Sequence, residues 1–77
     1  MSAYNFRFTD NTAKMVRFKK EMSPKEVKTF LSDEKEQFFD ISLNERIVTS
    51  VRKDTVIEFT ETKDKDISPS DKQWKIL

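Results

Sequence analysis

Met22-Ser23-Pro24-Lys25-Glu26-Val27 is the stretch whose reading decides the fold. Ser23 fits the residue that precedes a helix. There a side-chain oxygen accepts from backbone N–H groups that find no partner inside the helix. Pro24 fits the first helical position, where its missing N–H costs nothing. Glu26 stands three residues after Ser23 and completes a capping box, while Met22 and Val27 form the two ends of a hydrophobic staple. Phe30 and Leu31 continue the apolar stripe three and four residues beyond Val27. The pattern predicts one helix from Pro24 to near Asp33, with Lys25 and Lys28 toward solvent.

Upstream of the helix, Tyr4-Asn5-Phe6-Arg7-Phe8 alternates apolar and polar residues, the period of a half-buried strand. Lys14-Met15-Val16-Arg17-Phe18 is a second strand, with Val16 and Phe18 on one face. Asp10-Asn11 lies between them, and these residue types tolerate positive φ in a chain without glycine. Downstream, Phe38–Leu43, Arg46–Arg52 and Thr55–Thr60 read as a three-stranded meander, rich in β-branched residues and turned at Asn44-Glu45 and Lys53-Asp54. The order is ββαβββ. It predicts an α+β fold, a small antiparallel sheet of about five strands with one helix packed on it. A small barrel of SH3-like or Sm-like type with an inserted helix is the alternative. The compact domain is expected over residues 1–60. Residues 61–77 form a polar tail that ends in Trp74, Ile76 and Leu77.

The chain has 77 residues, with 15 Lys and Arg, 14 Asp and Glu, and no His, Cys or Gly. That length suits one domain. Without Cys there is no disulfide framework and no thiol nucleophile. Without His the commonest general base and metal ligand is missing. Without Gly neither a P-loop nor a dinucleotide-binding turn can form, since both need close backbone approach to phosphate. No carboxylates are spaced as a metal loop or a catalytic dyad, and no base stands near Ser23, Ser50 or Tyr4. The expectation is a non-catalytic protein without cofactor or metal. No apolar run nears the ~20 residues of a membrane helix, and the start MSAYNFRF lacks a signal-peptide pattern. The expected setting is therefore cytoplasmic, away from the membrane.

Charge is uneven along the chain. Residues 1–28 carry seven basic and three acidic side chains, and residues 29–77 carry eight basic and eleven acidic. On the first hairpin, alternation turns Arg7, Arg17 and Lys19 outward, near Lys14 and Lys20. Such a patch could track a phosphate backbone. Yet the same alternation points the rings away from the cations, and bases need rings to stack on. A solvated strand face is the simpler reading, with Lys and Arg blunting a sheet edge. A pI near 7.9 also falls short of the balance typical of a dedicated nucleic-acid binder.

Apolar contact residues form the second group. Trp74, Ile76 and Leu77 either fold back over the sheet or meet a partner. Phe38 and Phe39 are adjacent, so on a strand they face opposite sides, and one of them needs a second cover. The sequence thus points to a small interaction module that binds another protein, with a nucleic-acid-binding accessory protein as the alternative. A sheet this small can also complete its core by forming a homodimer. In composition the chain is similar to small accessory reading frames of phages and mobile elements in low-GC bacteria. That resemblance implies a regulator or inhibitor and carries no residue roles.

Overall fold

The computed structural model describes residues 2–77, so Met1 lies outside it. Strand β1 spans Ser2–Phe8 and β2 spans Ala13–Arg17. Helix α1 follows at Pro24–Ser32, then β3 at Phe38–Leu43 and β4 at Ile47–Arg52. A 3₁₀ turn at Lys53–Thr55 leads into β5 at Val56–Lys63. A second 3₁₀ turn at Asp64–Asp66 precedes β6 at Gln73–Ile76.

The helix begins as its sequence dictates. Ser23 Oγ accepts from the Glu26 N–H at 3.2 Å, and the Glu26 carboxylate accepts from the Ser23 N–H at 3.1 Å. Hydrogen bonding from the Ser23 backbone N–H, and then from the Ser23 side chain, holds the Glu26 carboxyl below the usual carboxylate range. Asp33 ends the helix with an extended backbone, and its side chain accepts from the Lys35 N–H. Turns without glycine fall on the expected residues. Asn11 has φ 72°, and Asp10 beside it accepts from both the N–H and the hydroxyl of Thr12. Asn44 and Glu45 both have left-handed φ, 53° and 60°, the pattern of a type I′ hairpin turn.

The class is α+β, but the sheet differs from the expected one in two respects. It has six strands in the order β4-β3-β6-β2-β1-β5, and it is mixed rather than antiparallel throughout. The sixth strand comes from the expected tail. β6 enters the middle of the sheet, parallel to β2 with Val16 beside Trp74, and antiparallel to β3 with Ile41 beside Ile76. It is the seam that joins two hairpins, β1–β2 and β3–β4.

A flat six-stranded sheet would hold its edges about 24 Å apart, from the ~4.8 Å strand spacing. Here edge strands β4 and β5 are joined through three residues, Lys53–Thr55, which span at most about 14 Å. The sheet must therefore curl, bringing its edges together at that end. It stops short of a closed barrel, because β4 and β5 do not pair.

The core lies on the concave face. Tyr4, Phe6 and Phe8 from β1, Val16 from β2, Phe39 and Ile41 from β3, Ile76 from β6 and Val27 from the helix are all buried. Phe6, Phe18, Phe30 and Phe39 form a closed circuit of edge-to-face ring contacts, 5.3 to 6.4 Å between centroids. Each such contact is worth about 0.5–1.5 kcal/mol beyond area burial. The circuit ties the helix, through Phe30, to both hairpins.

Candidate functional site: an acid-rimmed apolar groove

The two groups of residues singled out by the sequence have different fates. Arg7 points outward from β1 and pairs with Glu58 on β5 at 2.9 Å. Arg17 points outward from β2, donates to the Gln73 side chain and pairs with Asp64 at 2.7 Å. That pairing keeps the Asp64 carboxyl below its usual range. Arg17 lies four residues along β2 from Ala13, the partner of Arg7, about 13 Å by strand rise. The two guanidinium groups are thus separated, and each has an acid from a neighbouring segment.

Lys14 lies on the other face. It sits opposite Phe6, and its ammonium stands 5.3 Å from the Phe8 ring centre and 5.7 Å from that of Trp74. Lys19 and Lys20 are exposed just after β2. Lys19 lines a cleft of about 360 Å³ with Arg17, Phe18, Lys75, Ile76 and Leu77.

The apolar group gathers more closely. The pairing of Leu77 N–H with the Asp40 carbonyl, at 3.0 Å, extends β6 past Ile76 and sets Leu77 beside β3. Phe38 and Leu77 are each about half exposed, 51% and 57%. Both line one groove of about 500 Å³ between the end of β6, the start of β3 and the helix. Its other apolar lining is Phe30, Phe39 and Ile76, and its charged lining is Asp33, Glu36, Asp40 and Lys53. Trp74 is not part of it. It is partly buried against the core beside Val16. Ile76 is buried, so it serves the groove as floor rather than rim.

Lys53 is the residue that sequence reading missed. It was assigned to a turn, yet it is only 7% exposed, and its ammonium stands 4.4 Å from the Phe30 ring centre. Strand parity was the available signal: Lys53 is two residues beyond Val51, which faces Phe39. Lys53 also lines an adjoining cleft of about 430 Å³ with Asp33, Glu34 and Glu36 from the helix–β3 connection, and with Arg52 and Asp54. Three carboxylates against one ammonium make the Phe38–Leu77 groove apolar in its walls and negative at its rim.

The shifted ionisations elsewhere all belong to contacts that hold the fold. Asp10 is lowered by Thr12, and Glu61 by Ser2 and then Lys63. Burial, followed by the Glu61 charge, raises Tyr4 to about 12. Among the described residues no three His, Cys, Asp or Glu side chains are grouped to hold a metal ion. Among the same residues no helix is long and apolar enough to cross a membrane. The chain matches no protein-family model, no curated protein and no solved structure. The chemistry of the groove is therefore what the functional reading rests on.

Proposed function

We propose that this chain is a small non-catalytic interaction module that binds another protein, as an accessory or regulatory factor. The observation that carries the reading is the Phe38–Leu77 groove. Two large apolar side chains stand half exposed on one concave surface, walled by Phe30 and Phe39. Exposed apolar groups gathered in this way mark interaction surfaces, whereas scattered ones do not. The rim of Asp33, Glu36 and Asp40 selects the occupant by charge. It favours a segment that carries an apolar anchor flanked by Lys or Arg, and it repels acidic segments.

Nucleic acid is the weaker reading. Of the five cations expected on the first hairpin, Arg7 and Arg17 are matched by acids, and Lys14 lies over rings. Lys19 and Lys20 remain, and the neighbouring Phe18 ring is engaged edge-to-face with Tyr4, Phe6 and Phe30 rather than free to stack a base.

Selection of a displayed random-peptide library on the immobilised protein tests the proposal. Selected peptides should combine an aromatic or aliphatic anchor with neighbouring basic residues. Phe38→Asp should reduce their binding at least tenfold with the circular dichroism unchanged. Peptides without a basic bias, or binding that survives Phe38→Asp, would contradict it.

A further inference from the structure

We propose that β4 is a self-association edge, on which a second copy of this chain lays its own β4 antiparallel, about a twofold axis near Val48. The argument begins with the difference between the two sheet edges. β5, at one edge, carries Glu58, Glu61 and Lys63, with Glu58 paired to Arg7 and Glu61 to Lys63. Charges of this kind blunt an edge against further pairing. β4, at the other edge, reads Ile47-Val48-Thr49-Ser50-Val51-Arg52. Its first five residues hold no charge, no proline and no glycine. Nothing in those five residues discourages an incoming partner, and the strand's one charge, Arg52, lies at its far end. Three of the five side chains are β-branched aliphatics that favour strand pairing.

Exposure agrees. Ile47 is 52% and Val48 60% exposed, although they point to opposite faces of the sheet. Both faces of the strand are thus open at its start. β4 pairs only with β3, and none of the backbone bonds in turns and loops among the described residues involves residues 47–52. Toward its far end Val51 is half-buried, while Ser50 and Arg52 stay exposed. Ser50, Val51 and Arg52 line a cleft of about 300 Å³ with the β1–β2 turn and Thr55. The open half, centred on Val48, is where a strand can add.

The occupant follows from charge. The uncharged stretch Ile47–Val51 meets a second copy of itself without repulsion, and antiparallel pairing about Val48 keeps the two Arg52 side chains at opposite ends of the ladder. Antiparallel pairing about Val48 sets Ile47 opposite Thr49 of the second copy, with Val48 opposite Val48. Facing residues then keep the same side of the sheet, so the two sheets join into one. The surface is separate from the Phe38–Leu77 groove and does not depend on it.

The chain has no cysteine, so a single introduced thiol reports on this edge alone. Sedimentation of the unmodified protein should show a monomer–dimer equilibrium. Val48→Lys, at a largely exposed site, should leave the circular dichroism unchanged and shift the equilibrium to monomer. Val48→Cys should form an intermolecular disulfide under mild oxidation, because the two side chains face each other across the axis. Ile57→Cys, on the other edge strand, should cross-link at least tenfold less. A protein that stays monomeric at all concentrations, a dimer that survives Val48→Lys, or equal cross-linking from both edges would each overturn the proposal. A strand from another protein on this edge would show as the first of these.

Discussion

Tyr4 joins three parts of the chain through one hydroxyl. It donates to the Met22 carbonyl at 2.6 Å and stands 3.4 Å from the Glu61 carboxylate. Its folded pKa of about 12 lies above the ordinary value of 10.0. A group raised in this way contributes stability that is whole below its unfolded value and is lost as pH rises through the folded one. Stability should therefore fall between about pH 10 and pH 12. As Tyr4 is the sole tyrosine, tyrosinate absorbance follows it alone. Onset near 10 in the folded protein would contradict the contact, and Tyr4→Phe should flatten the alkaline decline. The four lowered carboxylates, Asp10, Glu26, Glu61 and Asp64, act with the opposite sign. Their contribution is present at neutral pH and is lost as pH falls through their folded values. Glu45 is the residue most at odds with its backbone, at φ 60°. A non-glycine residue there costs about 1–2 kcal/mol, and glycine restores part of that at the expense of chain entropy. Glu45→Gly should raise the unfolding free energy by about 0.5–1 kcal/mol in denaturant titrations. An unchanged midpoint would count against the turn.

At the scale of elements, local chemistry was legible and long-range pairing was not. Ser23, Pro24 and Glu26 determine where the helix starts, because capping acts within one turn of chain. Asn11 and Asn44 mark the turns because few residues accept left-handed φ. β6 escaped recognition as a strand for a physical reason. It is four residues long, and its partners Met15–Arg17 lie about three quarters of the chain away. Nothing within its own sequence specifies a parallel neighbour. β5 likewise runs three residues beyond the expected Thr60, because Glu61, Thr62 and Lys63 are polar on an edge that still pairs with Ser2–Tyr4. The position of β6 makes a sharp prediction. Ile76 is buried beside Ile41 at the seam between the two hairpins, so Ile76→Ala should cost about 2–5 kcal/mol. Leu77→Ala, at an exposed neighbour, should cost far less. Equal costs in urea unfolding would mean that the seam is not where the stability lies.

For the whole molecule, the site is assembled by the same seam. Phe38 was legible as a candidate because adjacent phenylalanines cannot share a strand face. Leu77 was legible only as an apolar end of chain. Their meeting in one groove depends on β6 lying next to β3, which the sequence does not announce. Lys53 was hidden by its type, since lysine is almost never buried unless its charge finds a partner such as the Phe30 ring. The net charge of +1 likewise concealed a division between a basic cleft at Lys19 and Lys75 and an acid-rimmed groove at Asp33, Glu36 and Asp40. The most direct measurement is an amide chemical-shift titration of the isotopically labelled protein with a selected anchor-plus-basic peptide. The account predicts that shifts concentrate at Phe38, Phe39, Asp40, Lys53 and Leu77. Shifts concentrated at Lys19 and Lys20, with none at Phe38 or Leu77, would contradict it.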